Sequence, residues 1–423
     1  MSEKKNPHSS RFGVGQWLES DQALFTNWVE GRIHLASAED DELHPALQNF
    51  AETVTADPLL NLLFSEMFQQ VPEGPPYHED PRGGPRVENF AHMLRMINVV
   101  IAQAPEYDET VMAGLPLHAM LNWVMGTKSG FTAFLHPKVN ACLKEVLNEW
   151  ARFLKSPASC YVLGSETDKG WFGPAARKAM PNFSEDFECQ PGERYHGFTS
   201  WDDFFTRKLR PHARPVAYED DDSVIANCCE SAPYKIARRV KLRDEFWIKG
   251  EPYSLCDLMM SESLAEYFAG GTVYQAFLDS FSYHRWHSPI SGRIVSAYAV
   301  EGAYYSATLA MEPAEALQRQ SQTYLAHVAA RALIFIEADN PDIGTLCFAA
   351  IGMCEVSSCE IAVQVGQRIK KGDQLGMFHF GGSTYCLVFR HGLHIEFDLH
   401  GRTPGPFSEN IFVNERLATV GLA

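Results

Sequence analysis

The stretch that decides the fold is LGMFHFGGSTYCLVF, residues 375–389. Two short apolar segments flank Gly381-Gly382-Ser383. One reading is a tight hairpin turn, because Gly-Gly and Gly-Ser both tolerate positive φ. The other is a peptide bond built to break. Ser383 Oγ can attack the carbonyl carbon of the preceding Gly382, glycine leaves that carbon unhindered, and a tight backbone can hold it strained. A serine hydroxyl is a weak nucleophile without a base. The second reading therefore depends on histidines and carboxylates elsewhere in the chain.

Working outward, VGQRIKKGDQLGMF (365–378) places Gly366 and Gly372 at the two ends of a short strand and Gly376 inside the next one. Such a run suggests a compact β sandwich or hybrid barrel. Upstream to residue 196 come further β-rich runs: YKIARRV, GRIVSAYAV, ALIFIEA, LCFAAIGM and CEIAVQV. Residues 15–155 read differently. DPLLNLLFSEMF, ENFAHMLRMINVVIAQA and NACLKEVLNEWARFLKS repeat apolar residues every three or four positions, which predicts helices. VPEGPPYHEDPRGGPR (71–86) is a Pro/Gly loop between two of them. The expected class is α+β: a disordered tail over 1–14, a helical accessory domain over 15–155, a polar linker over 156–195, and a mainly β domain over 196–423.

At 423 residues the chain is too long for one ordinary core. Its 45% hydrophobic and 12% aromatic content is that of a folded protein. A net charge of −17 opposes binding to nucleic acid or stable anchoring on an anionic membrane. There is no uncharged apolar run of spanning length, and MSEKKNPHSSRFG lacks the apolar segment of a secretory signal. Ten scattered cysteines, two of them adjacent at Cys228-Cys229, fit free thiols in a reducing cytoplasm. The acidic run EDDDS (219–223) lacks EF-hand spacing and reads as solvated charge.

The base for Ser383 is sought first in SYHRWHSP (282–289), which supplies His284 and His287. A His-x-x-His pair with no nearby acid or cysteine is a weak zinc signal, so no metal site is expected; the pair suits proton transfer. The third element is Glu230 in IANCCESAPY (225–234). It is either an acid at a strand end or a carboxylate that orients a histidine, and the sequence leaves open which histidine.

These elements occur in one order: SWDDFFTRKLRPHARPV, IKGEPYSLCDLM, YHRWHSP, GQRIKKGDQLGMFHFGGST. In that conjunction, residues 195–420 resemble the pyruvoyl-dependent phosphatidylserine decarboxylases. The helical region resembles the accessory domain of a fungal subgroup that includes soluble L-tryptophan decarboxylases, and FIEADN, IGMCEVSSCE and GMFHFGGS are similar to that subgroup. The resemblance implies that the chain cuts itself between Gly382 and Ser383. Ser383 then becomes a covalent pyruvoyl cofactor heading a fragment of 41 residues that ends at Ala423. It implies His287 as the base, Glu230 as its orienting acid where the lipid enzymes have aspartate, and His284 as a group acting later in decarboxylation. It also implies a small amino-acid substrate, L-tryptophan going to tryptamine and CO2, and a homodimer. Two other readings stand beside it. One is decarboxylation of phosphatidylserine, which needs access to a bilayer. The other is a non-catalytic lipoyl-like carrier, although those domains present a lysine where this chain presents Gly-Gly-Ser.

Overall fold

The computed structural model describes residues 42–71, 87–107, 116–244, 252–278, 281–306, 315–353, 355, 358–405 and 408–422. The tail over 1–14 and most of the loop over 71–86 lie outside them. The helical reading holds where the structure describes it: α1 (Pro45–Ala56), α2 (Pro58–Gln69), α3 (Phe90–Ile101), α4 (Pro116–Met125), α5 (Lys128–Leu135) and α6 (Pro137–Leu154). Proline opens α1, α2 and α6, where its missing N–H costs nothing. Asp57, Asn89 and Thr127 side chains accept from the free N–H groups of the first turns of α2, α3 and α5.

The described residues form thirteen strands: β1 (Val224–Ala226), β2 (Ala232–Arg238), β3 (Thr272–Leu278), β4 (Arg285–His287), β5 (Gly292–Val300), β6 (Arg331–Ala338), β7 (Thr345–Met353), β8 (Cys359–Ile361), β9 (Arg368–Ile369), β10 (Gln374–Phe378), β11 (Gly382–Phe389), β12 (Leu393–Phe397) and β13 (Arg416–Leu422). Seven form one antiparallel sheet in the order β2-β3-β11-β7-β6-β5-β9, and two three-stranded sheets, β4-β10-β8 and β1-β13-β12, complete the β region. The short strand expected between Gly366 and Gly372 is β9, and both glycines have the positive φ (89° and 87°) that a side chain resists.

The hairpin reading of Gly381-Gly382-Ser383 is overturned. Strand β10 pairs with β4 and β8, whereas β11 pairs with β3 and β7. The glycines mark the point where the chain crosses from the small sheet into the large one.

Side chains alternate along β11. Cys386 and Val388 join the core beneath the helices, and Tyr385, Leu387 and Phe389 join the core on the other side. Ser383 is in phase with Tyr385, so it faces away from the helices. Among the described residues the helical region shares its core with the sheet: Phe50, Phe64, Leu147 and Trp150 belong to one apolar cluster with Leu333, Phe335, Ile351 and Val388 of the large sheet. Within 156–195, Trp171, Phe172 and Phe183 are buried in that same cluster. Its polar composition reflects the exposed residues between those anchors.

Candidate active site

The crossover is pinned on both sides. Two residues ahead of Gly381, the His379 ring bridges two carboxylates, with Nδ1 at 2.8 Å from Asp202 Oδ1 and Nε2 at 3.0 Å from Glu360 Oε2. Burial alone would lower the His379 pKa, but these two acids raise it. Phe380 is buried against Trp150, Trp201 and Phe205, with ring centroids 5.2, 6.0 and 5.6 Å away. Gly381 then takes φ 152°, outside the range a side chain readily adopts.

Ser383 follows as an interior residue of the large sheet, in register with Leu278 on β3 and Gly352 on β7. It is fully buried, and among the described residues its Oγ has no hydrogen-bond partner. Buried hydroxyls are nearly always paired, so an orphan here calls for a reason.

Backbone contacts bring the other sequence elements to the same end of β11. Two residues after Ser383 and on the same face, the Tyr385 hydroxyl donates to Asn227 Oδ1 at 2.6 Å. The next residue, Cys228, accepts the His287 N–H at 2.9 Å, and the Phe378 N–H donates to His284 O at 2.9 Å. The loop 227–231, the segment 283–287 and the run into Ser383 are thus tied together.

Among the described residues no hydrogen bond or ion pair joins the side chains of Ser383, His284, His287 and Glu230 to one another. His284 is buried, stacked on Phe205 at 4.0 Å, and among the described residues neither ring nitrogen has a well-formed hydrogen bond. Burial, with the Arg207 cation nearby, lowers its pKa to about 3, so the ring is neutral. His287 lies 2.6 Å from the Gly372 carbonyl through Nδ1. That oxygen can only accept, so the proton sits on Nδ1, and Nε2 accepts from the Tyr283 hydroxyl at 2.8 Å. Burial lowers the His287 pKa as well. Glu230 does not meet His287. Its Oε1 pairs with Arg214 Nε at 2.7 Å, and Arg214 also reaches Asp186 at 3.1 Å. Burial raises the Glu230 pKa, and Arg214 opposes that shift.

Sequence reasoning gave no role to Tyr283, Arg207 or Arg214, although all three stand in the quoted motifs. Arg207 is buried, donates to the carbonyls of Phe281 and Ser282, and acts electrostatically on Glu230, Tyr283 and His284. The available signal was a cation inside an aromatic run, FFTRKL, which has no use on a solvated surface.

A family model described as phosphatidylserine decarboxylase matches residues 201–412, and a second with the same description matches 44–180. The chain is 45% identical to decarboxylase iboD of Amanita muscaria over 65% of this chain and 84% of that one. It is 32% identical to the L-tryptophan decarboxylase of Psilocybe cubensis over 96% of this chain and 94% of the other. The corresponding protein of Psilocybe cyanescens is 34% identical over 98% and 96%. Among the described residues no helix is long and apolar enough to cross a membrane.

Proposed function

We proceed from the fact that this chain belongs to the phosphatidylserine decarboxylase family and is a carboxy-lyase, and propose that it cuts itself between Gly382 and Ser383 and then decarboxylates an aromatic L-amino acid, first of all L-tryptophan. The observation that carries the reading is the buried, unpartnered Ser383 Oγ placed directly after two glycines at a sheet-to-sheet crossing.

In this reading Ser383 Oγ attacks the Gly382 carbonyl carbon, and the amide becomes an ester. Loss of the Ser383 Cα proton expels the Gly382 carboxylate and leaves dehydroalanine. Water then releases ammonia and leaves a pyruvoyl group at residue 383. Gly352 opposite Ser383 presents no side chain, which suits a site that must change shape as the bond breaks. The ketone so formed supplies an electron sink that ordinary side chains lack.

His287 is assigned the proton of Ser383. Its Nδ1–H bond to Gly372 fixes the tautomer whose Nε2 is a base. Tyr283 now occupies that nitrogen, so the proton passes through the Tyr283 hydroxyl or reaches Nε2 once Tyr283 turns away. His284 is assigned the return of a proton to substrate Cα. With a pKa of about 3 the ring is neutral at rest and holds no imidazolium proton to give. A substrate carboxylate arriving beside it would favour the charged form. Glu230, through its field at Tyr283, supports the same group of residues without touching His287.

The aromatic substrate is supported by the two Psilocybe relatives, which align along nearly the whole chain. The family description favours phosphatidylserine as the second reading. The carrier reading is set aside, because the chain is a decarboxylase. Intact-mass analysis of purified protein tests the maturation: the 47.4 kDa chain should give way to two fragments, the smaller running from Ser383 to Ala423. Amine and CO2 release is then compared for L-tryptophan, L-phenylalanine, L-tyrosine, L-serine and phosphatidylserine vesicles. Turnover of the vesicles with none of the aromatic amino acids would reverse the order of substrates and leave the maturation standing.

A further inference from the structure

Two anchors tie the surroundings of the Gly382-Ser383 step to the helical region, one on the incoming chain and one on the neighbouring strand. On the incoming side, Phe380 packs edge-on against Trp150 of α6, at 5.2 Å and 89° between ring planes. Trp150 is itself fixed, since its indole N–H donates to Gln103 O at 2.8 Å. On the adjacent strand, Gly382 is in register with Met353, the last residue of β7. Two residues further on, Glu355 is fully buried and takes φ 49°, a left-handed conformation that is strained for a residue with a side chain. Its carboxyl group accepts the His118 N–H at 2.9 Å and the Leu117 N–H at 3.4 Å. Those are the first free N–H groups of α4 after Pro116, and they lie more than two hundred residues away in sequence.

We propose that Trp150 and Glu355 are positioning residues for chain cleavage, so that the helical region holds the Gly382 carbonyl where Ser383 can reach it. The proposal rests on the self-cleavage reading. Its physical basis is the freedom of two consecutive glycines. Fixing each residue costs about 1–2 kcal/mol of conformational entropy, and glycine loses the most. A step that needs near-contact geometry loses about 100-fold in rate for a misplacement of about 1 Å. Anchors on Phe380 and on the strand end beside Gly382 remove that freedom before the reaction. Burial lifts the Glu355 pKa to about 8 against the pull of the two N–H groups, so at neutral pH the anchor is largely an uncharged hydrogen-bonding group. An amide should therefore replace it.

The test uses the full chain made by cell-free translation, with release of the Ser383–Ala423 fragment followed by mass against time and the folded fraction followed by near-ultraviolet dichroism. Trp150→Ala and Glu355→Leu should slow fragment release by about 10-fold or more at equal folded fraction. Trp150→Phe and Glu355→Gln should restore it to within about 3-fold of wild type, since they keep the ring contact and one acceptor. If Trp150→Ala does not fold, Phe380→Leu alters the same contact from the strand side and carries the same expectation. Folded Trp150→Ala or Phe380→Leu together with folded Glu355→Leu releasing the fragment at the wild-type rate would overturn the proposal, as would an equal loss in the conservative pair. Wild-type protein that never splits would refute the self-cleavage reading, and this inference with it.

Discussion

On the helix-bearing face of the large sheet, Thr384 Oγ1 donates to Ala276 O at 2.8 Å and accepts from Gln275 Nε2 at 3.2 Å, while Gln275 accepts from the Tyr253 hydroxyl at 2.5 Å. On the opposite face, one residue earlier on the same strand, Ser383 Oγ has no hydrogen-bond partner among the described residues. Both residues are fully buried. The chain can therefore satisfy a buried hydroxyl at this place in the sheet and does so for one of the two. Leaving a buried hydroxyl unpaired costs roughly 1–3 kcal/mol, a cost borne at residue 383 and avoided at residue 384. On the proposed maturation, the difference separates a hydroxyl that holds the sheet from one kept free to react.

The largest break in that comparison comes from Ser383→Ala. It should remain a single 47.4 kDa chain on a denaturing gel and release no amine from any substrate. Because no hydrogen bond is lost and the unpaired hydroxyl is removed, it should be more stable than the uncleaved wild-type chain, by up to roughly 1–3 kcal/mol in a denaturant melt. A split or active Ser383→Ala protein would remove the reactive role from this face.

The histidines should give the next largest effects. His287→Ala should slow cleavage by about 10²–10⁴-fold, and His284→Ala should cleave but turn over more slowly by a factor in the same range. The pH dependence follows from the depressed pKa of His287. The base must be neutral, so the cleavage rate should stay level above pH 6.5 and fall as the pH drops through the lowered value. A rate that instead rises on acidification, measured from fragment release between pH 4 and 8, would exclude neutral His287 as the base.

How much of this was legible beforehand depends on the kind of signal. The helices announced themselves through apolar spacing, and Gly366 and Gly372 marked β9 because each needs a positive φ. Ser383, His284, His287 and Glu230 could be nominated because their residue types limit the chemistry. The hairpin reading failed because local turn chemistry says nothing about which sheet each flanking strand joins. The pairing of Glu230 failed for a similar reason. Arg214 stands sixteen positions before Glu230, and only the folded chain shows that a guanidinium there outcompetes a neutral imidazole for the buried carboxylate. Trp171 and Phe183 were passed over as linker because their neighbours are polar, although those two rings enter the core.

Arg214 offers a sharper test of that pairing. Arg214→Met would remove the guanidinium that pairs with both Glu230 and Asp186, and removing one partner of a buried pair costs about 3–5 kcal/mol. Glu230→Gln should cost less, because Arg214 keeps Asp186. Melting both variants in denaturant checks the order. If Glu230→Gln also cleaves at the wild-type rate, the acid stabilises the fold and its field at Tyr283 has no part in the chemistry.

Thr384→Val gives the smallest effect and the cleanest contrast with Ser383→Ala. The substitution keeps the β-branched shape on a buried strand and removes only the hydroxyl. Ala276 O then loses a side-chain donor but keeps its backbone role in the β2–β3–β11 ladder, while the Gln275 amide loses one acceptor and keeps its bond to Gln322 O at 3.2 Å. The expected loss is roughly 1–3 kcal/mol of stability, at the lower end because both partners retain other bonds. Cleavage should proceed at the wild-type rate, since Thr384 faces the helices and Ser383 faces away from them. The paired measurement is a denaturant melt and a fragment-release time course on the same preparation. Thr384→Val that is as stable as wild type but fails to cleave would place the second hydroxyl in the reaction and dissolve the division between the two faces.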